Sequence, residues 1–178
     1  MQKLALISLT SALFLASCNT PTAKTETEAE VKTAAETKVE KKADLGNHAP
    51  SLSYFMDLAC DSDPNLKIQT VGIHSNYTEF VIVYHNATNK PATGLRTSPT
   101  GHKDAFFLRS LKTKELYPLL GTTGIPVDSR GIDIHPSEEI SFRLIFAQIP
   151  AGEYELIEGK NQNEDWEYWN FSKINLKK

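Results

Sequence analysis

The stretch from Ile140 to Phe146 constrains the fold more than any other part of the chain. Apolar side chains occupy every second position, and the polar residues Ser141 and Arg143 lie between them. Successive side chains of a β-strand point to opposite faces. The period of two therefore predicts a strand with one face in a core and the other face mostly in solvent. An α-helix would scatter the same apolar residues around its circumference.

Short apolar runs separated by turn residues follow one another from Ser51 onward. Besides Ile140 to Phe146, the runs are Leu66 to His74, Glu79 to Tyr84, Ala105 to Leu108, Leu116 to Leu120, Tyr154 to Ile157 and Tyr168 to Leu176. Together they predict about seven short strands, the number that suits a sandwich of two sheets. No segment of this region sustains a helical period, so we expect residues 50–178 to form an all-β domain.

Several segments of this region leave alternatives open. The inward parity of Leu66 to His74 switches near Thr70, which predicts either a bulge or a strand that passes between two sheets. Pro118 places its strand at a sheet edge or breaks it there. Leu52 to Cys60 fits a short helix or an edge strand. The stretch Asn86 to Lys103 has no periodicity and is long for a connection, so it is either functional or merely variable.

Residues 18–49 have a different composition. Thr, Ala, Glu and Lys dominate this segment, and it contains no aromatic residue. Such a segment cannot bury enough apolar surface to offset the entropy lost on ordering. We therefore expect a flexible tether with a root-mean-square reach on the order of 30 Å.

The chain begins with features of a secretory signal. Lys3 precedes the apolar run Leu4 to Leu15, which is too short to span a bilayer. The run closes on Leu15-Ala16-Ser17-Cys18, which resembles the lipobox of bacterial lipoproteins at each position. The resemblance implies a signal peptide of residues 1–17, cleavage between Ser17 and Cys18, and acylation of Cys18.

The lipobox resemblance and the net charge of the chain also predict where the protein is delivered and what it binds. Asn19, rather than aspartate, follows Cys18, which implies delivery to the outer membrane, with the membrane as a partner of the lipidated cysteine. The formal charge is 19 minus 22, or −3, and removing Lys3 with the signal makes it 18 minus 22, or −4. This balance provides no basic footprint for nucleic acid. Cys60 is then the lone thiol of the mature chain, either inert or a nucleophile with an unknown base.

Several short motifs follow one another in the C-terminal half: Gly124-Ile125-Pro126-Val127, Glu139 to Phe146, Ile149-Pro150, Leu156-Ile157-Glu158 and Phe171 to Leu176. In this order they resemble a group of uncharacterised immunoglobulin-like domains in Bacteroidetes lipoproteins and secreted proteins, and the resemblance covers roughly Leu66 to Leu176. It implies an immunoglobulin-like β-sandwich and a location in the cell envelope. It carries over no catalytic residues, because the group has no established activity to transfer.

The motifs of common catalytic and metal sites are missing from the sequence. The five histidines lack the spaced pairs of a zinc site, and Asp61 to Asn65 resembles a turn more than a calcium loop, because Leu66 stands where an EF-hand needs glycine. There is no Gly-x-Ser-x-Gly elbow and no phosphate-binding glycine loop. We therefore expect no enzyme activity, no cofactor and no metal.

One aromatic cluster suggests a surface for a partner. It consists of Trp166, Tyr168, Trp169 and Phe171. Strand geometry places Trp169 and Phe171 on the face opposite Ile174 and Leu176 unless a bulge intervenes. Core packing and an exposed binding patch both fit the cluster. The testable expectation is that Trp169 and Phe171 face outward as interaction residues, while Ile174 and Leu176 face the core.

The function expected from the sequence is that of a noncatalytic binding module in the envelope, with a protein or glycan as partner. An envelope hydrolase and an assembly accessory protein are the alternatives. A pocket that gathers two or more titratable groups with perturbed pKa values would favour the hydrolase.

Overall fold

The fold is described from a computed structural model for residues 49–127, 129–162 and 168–177. The predicted signal peptide, the predicted lipidation site Cys18 and most of the predicted tether lie outside these residues, as does Trp166. Across the described residues the chain forms strands and no helix. The all-β prediction is therefore confirmed. No helix among them is long and apolar enough to cross a membrane.

The described residues form ten strands rather than about seven. They are β1 (Leu52–Ala59), β2 (Leu66–Ile73), β3 (Tyr77–His85), β4 (Ala92–Leu95), β5 (Phe106–Ser110), β6 (Leu116–Thr123), β7 (Ile132–Ile134), β8 (Glu139–Ala147), β9 (Gly152–Glu158) and β10 (Phe171–Leu176). The segment that fitted a helix or a strand is the strand β1. The strands β4 and β7 were not predicted, because each is only three or four residues long.

Eight strands form one antiparallel sheet in the order β1-β2-β3-β8-β6-β5-β9-β10, and β4 pairs with β7 in a small second sheet. The strand β6 changes partner along its length. Its first part pairs with β5 through Pro118, and its second part pairs with β8 from Leu119 onward, with an irregular register before Gly121. Of the two alternatives left open at Pro118, an edge position or a break, neither describes β6 as a whole, because the strand runs on from Leu116 to Thr123 but changes its neighbour at this residue. The missing N–H of Pro118 instead falls where β6 exchanges one neighbour for the other.

The core lies between the inner faces of these strands. The alternation predicted for Ile140 to Phe146 is confirmed, since Phe142, Leu144 and Phe146 are buried while Ser141 and Arg143 are exposed. The register of β2 shifts against β3 between Ile68 and Thr70. Of the two explanations for the parity switch near Thr70, the structure therefore has the bulge.

The two outer strands, β1 and β10, close the sheet through a side chain. The Tyr54 hydroxyl accepts a hydrogen bond from the Lys177 backbone N–H at 3.3 Å and donates one to the Asn175 carbonyl at 3.4 Å. Each strand also carries an irregularity with a residue at positive φ, Asp57 in β1 (51°) and Lys173 in β10 (64°). Bulges of this kind disrupt the regular ladder, which is consistent with a tyrosine hydroxyl bridging the two strands.

The two ends of the eight-stranded sheet differ in their connections. The antiparallel order places the strand ends that are joined by the connections 60–65, 86–105, 124–138 and 159–170 at one end, called here the loop end. The turns 74–76, 111–115 and 148–151 lie at the opposite end, called the turn end. The described chain begins at the turn end, because β1 starts there. Long connections are thus concentrated at the end away from residue 49.

Candidate functional site

The loop end contains a glutamate in a position that otherwise belongs to the core. Glu158 is the last residue of β9 and shares its inward parity with the buried residues Tyr154 and Leu156. Its partner across the ladder is Phe106, whose side chain is fully buried. A carboxyl group held among such neighbours must be hydrogen-bonded or lose its charge.

The surroundings of the Glu158 carboxyl decide its acidity. Burial raises its pKa to about 7, the hydrogen bond from the Trp169 backbone N–H lowers the pKa, and the negative charge of Asp104 raises it. The Trp169 nitrogen lies 3.0 Å from the Glu158 Oε2 atom. Asp104 itself pairs with His102, at 3.5 Å between Oδ2 and Nδ1. Glu158 therefore titrates near neutral pH, far above an ordinary glutamate.

Two amide side chains tie the end of β9 to the start of β10. The Asn170 Oδ1 atom accepts hydrogen bonds from the Glu158 backbone N–H at 3.2 Å and from the Gln162 Nε2 at 2.7 Å. In return, the Asn170 Nδ2 donates to the Gln162 Oε1 at 3.1 Å. The Gln162 Nε2 also donates to the Glu158 carbonyl at 2.8 Å. The junction is therefore fixed by hydrogen bonds and not only by strand pairing.

The segment after β1 joins the same junction from the other side. The Asp61 N–H donates to the Asn170 carbonyl at 2.7 Å, and the Ser62 hydroxyl donates to the Tyr168 carbonyl at 2.7 Å. Cys60 is a free, buried thiol whose Sγ lies 3.4 Å from the Ser62 Oγ. This placement fits the inert interpretation of Cys60 better than that of a nucleophile, which needs access and a base.

A glycine allows an aromatic side chain to pack against this junction. Gly159 follows Glu158 with φ at +80°, a conformation that L side chains rarely adopt. A Cβ atom at this position would lie 3.3 Å from the Tyr168 ring and 3.7 Å from the Asp104 Cα. The loop end therefore brings Glu158, Asp104 and Tyr168 together around one turn of backbone.

The structure corrects part of the predicted interaction site. Phe171 is fully buried in the core, so the prediction that it faces outward is wrong. The register of β10 shifts between Phe171 and Ile174, and the bulge at Lys173 places both side chains on the inner face. Ile174 and Leu176 are buried as predicted. Trp169 is half-buried and packs against the core, so it is only partly available to a partner.

The stretch predicted as a long connection is anchored at the loop end. Asn86 is fully buried, and its Nδ2 donates to the carbonyls of Lys90 and Ile134, each at 2.8 Å. Its Oδ1 accepts from the Thr88 hydroxyl at 2.7 Å. Farther along, the Arg96 guanidinium donates to the Ser129 carbonyl at 2.8 Å. These bonds hold the segment 86–105 against the connection 124–138, so the segment has a defined shape.

The other residues considered for chemistry lie apart from one another. In the described part of the chain, no three His, Cys, Asp or Glu side chains are placed to hold a metal ion. Asp63 forms the predicted turn, because its Oδ1 accepts from the backbone N–H and the side-chain amide of Asn65, each at 2.9 Å. His74 is buried at the turn end and stacks on Tyr77 with 3.9 Å between ring centres.

Large apolar side chains reach the surface at scattered places. Phe55 on β1 is 67% exposed, and Leu116 and Leu120 are exposed on β6. The strands β2, β3 and β8 lie between β1 and β6 in the sheet. Val127 is exposed in the loop-end connection 124–138. Single exposed hydrophobic residues are normal on a protein surface. These scattered residues form no common patch, so the loop end stays the candidate site.

The sequence interpretation did not identify Glu158 or Asn170. The sequence does contain one indication of Glu158. Tyr154, Leu156 and Glu158 are at every second position, so a strand places their side chains on the same face and puts a charged group among apolar ones. Comparison with protein-family models gave no match, and neither the curated proteins nor the solved structures gave one.

Proposed function

We propose that this chain is a lipoprotein of the bacterial envelope, anchored through Cys18, whose β-rich domain is a noncatalytic binding module for a protein or a glycan. The lipobox-like residues Leu15 to Cys18 and the polar segment 18–49 support the anchor and the tether. The outer membrane is the proposed location, because Asn19 follows the cysteine.

The main support for a binding role is that the two ends of the sheet differ: the long connections lie at the loop end and the short turns at the turn end. A rigid scaffold that holds long, fixed connections at one end is a common way to build a binding surface. The domain begins at the turn end, so a tether attached there leaves the loop end free to face away from the membrane. Asn86 and Asn170, whose side chains hold the described parts of two of these connections, support a preformed surface.

We further propose that the domain is an immunoglobulin-like sandwich. The pairing pattern supports this, because β6 belongs to two half-sheets: one contains β1, β2, β3 and β8, and the other contains β5, β9 and β10. The buried residues of both halves form one main cluster. Sandwiches with strands shared between sheets keep such a core between two inner faces.

One observation favours the alternative of a hydrolase. Burial raises the pKa of Glu158 to about 7, and the negative charge of Asp104 adds to this rise, as a second carboxylate does in an acid/base site. The Glu158 carboxyl, however, takes an inward position and binds the Trp169 backbone N–H, which supports a structural role. Loss of an envelope-degrading activity in Glu158→Gln would favour the hydrolase over the binding module.

The test uses the full-length lipidated protein and two exposed amide side chains at opposite ends. Asn89 lies in the loop-end connection 86–105, and Gln148 lies in the turn 148–151. Binding to solubilised envelope proteins and to isolated envelope glycans is measured for Asn89→Arg and Gln148→Arg. We expect Asn89→Arg to weaken the interaction and Gln148→Arg to leave it unchanged. The reverse pattern would place the binding surface at the turn end.

A further inference from the structure

One histidine at the turn end is buried without a hydrogen-bond partner for its ring. His74 directly follows β2 and is 6% exposed, and neither its Nδ1 nor its Nε2 atom has a partner among the described residues. Buried polar groups normally have one. A neutral imidazole has a single N–H donor to satisfy, whereas a protonated imidazole has two donors and a positive charge. The site therefore accommodates the neutral ring at a lower cost than the charged ring.

The His74 ring occupies a space that a glycine leaves on the outer face of the sheet. Gly72 lies opposite in strand parity to the core residue Val71. A Cβ atom on Gly72 would lie 3.3 Å from the His74 Nε2 atom and 3.5 Å from the Pro50 Cβ atom. The His74 ring also stacks on Tyr77, with 3.9 Å between ring centres and 15° between the ring planes. His74 and Pro50 therefore pack together over Gly72.

The same contacts hold the residues that precede β1. Residues 49–51, called here the entry segment, are all exposed. Pro50 shares the space over Gly72 with the His74 ring, and the Ser51 hydroxyl donates a hydrogen bond to the Ile73 carbonyl at 2.7 Å. Both contacts are made with β2 or with the residue that follows it. A movement of the His74 ring therefore removes part of the packing that keeps the entry segment on the sheet.

The charged groups near His74 are paired with each other. The Glu79 Cβ atom lies 3.8 Å from the place that a Gly72 Cβ would take. The Glu79 carboxylate pairs with Arg143 of β8, at 3.5 Å between Oε2 and Nε. On β1, the residue opposite Gly72 is the uncharged Ser53. None of these groups is hydrogen-bonded to the His74 ring, so a protonated ring has no acceptor until it moves.

We propose that His74 is a proton-controlled contact: the neutral ring holds the entry segment on β2, and protonation moves the ring into water and frees the segment. The ring face of Tyr77 attracts a cation, but it gives neither N–H group a hydrogen-bond acceptor. Histidine changes its charge between pH 5 and 8, so we expect release in mildly acidic surroundings. Under the proposed function the entry segment continues into the tether, and its release gives the domain more freedom relative to its anchor.

The test is amide hydrogen exchange in the full-length protein at pH 7.5 and pH 5.5, with rates corrected for their intrinsic pH dependence. The readout is the protection of residues 51–53, and the protection of β8 is the reference. A histidine in water gains its proton near pH 6.5, so protonation of the released ring favours the open form about tenfold between the two conditions. We therefore expect the protection of residues 51–53 to fall about tenfold relative to that of β8.

Three variants connect this change to His74. His74→Phe keeps a ring that can stack on Tyr77 but cannot be protonated, so its protection should not fall in acid. Gly72→Ala introduces a Cβ atom 3.3 Å from the His74 Nε2 atom, so it should displace the ring and lower the protection already at pH 7.5. His85→Gln is the matched control, because His85 is an exposed histidine at the other end of the same hairpin. It should leave the tenfold fall unchanged.

Two results would overturn the proposal. One is a protection of residues 51–53 that does not change with pH in the parent protein. The other is an equal fall in His74→Phe, because another group would then take up the proton. If His74→Phe does not fold, parent-like protection of Gly72→Ala at pH 7.5 overturns the proposal in its place. These readouts need neither a partner nor a membrane, so failure here is distinct from failure of the binding role.

Discussion

The stability of the domain should fall as the pH rises through neutrality, and Glu158→Gln should remove this part of the dependence. The folded protein raises the pKa of Glu158 from the ordinary value of 4.5 to about 7, chiefly by burial. The folded state therefore holds this proton more tightly than the unfolded state does. The resulting stabilisation is fully present below about pH 4.5 and is lost as the pH rises through about 7.

The size of the effect follows from the same two values. A difference of one pKa unit corresponds to about 1.4 kcal/mol, so a rise from 4.5 to about 7 gives roughly 3 to 4 kcal/mol as an upper limit. The side chain is half-buried, and local hydration on ionisation reduces the limit. A loss of about 1 to 3 kcal/mol between pH 5 and pH 9 is the expectation.

The assay is urea denaturation of the parent protein and Glu158→Gln at several pH values, with the difference in unfolding free energy as the readout. Taking the difference cancels the contributions of the five histidines. The control is Glu155→Gln. Hydrogen bonding to Arg109 lowers the pKa of Glu155, so its stabilisation is lost only in acid, below the ordinary value of 4.5, and should not vary between pH 5 and pH 9. A constant difference between the parent protein and Glu158→Gln over this range would show that Glu158 does not produce this pH dependence.

Three further predictions concern the anchor, the domain boundary and the core. Cys18→Ala should abolish fatty-acid labelling and release the protein from the membrane fraction or leave it uncleaved, and unchanged labelling would contradict the lipobox interpretation. Brief proteolysis should leave a β-rich fragment that begins between about Lys42 and Leu52, and first cleavage within β8 would contradict it. Ile174→Ala should cost about 2 to 5 kcal/mol in chemical denaturation. Trp169→Ala should cost less because Trp169 is half-buried, and equal costs would contradict this difference.

The sequence predicted the parts of the fold in which side-chain alternation is regular. The period of two in β8 identified a core strand, and the parity switch near Thr70 predicted a bulge or a strand that passes between two sheets, of which β2 has the bulge. Both signals arise because burial and strand geometry act on neighbouring residues. Both patterns can therefore be recognised in the sequence without knowing which strands are neighbours.

The features that the sequence did not predict depend on contacts between distant residues. The bulge that turns Phe171 inward is centred on Lys173, a residue type that does not usually mark positive φ. The short strands β4 and β7 are positioned in part by Asn86, whose amide reaches Ile134 across 48 residues. Glu158 stands where the alternation predicts an apolar residue, and its partner Trp169 is known only from the fold.

We have proposed that the loop end is the binding surface of the domain. The most direct test is made in living cells, with a photo-crosslinking amino acid placed at Asn89 or at Gln148 of the full-length protein. We expect a discrete adduct from position 89 that disappears when the unmodified protein is present in excess, and no such adduct from position 148. Adducts of equal yield from both positions, or a competed adduct only from position 148, would contradict it.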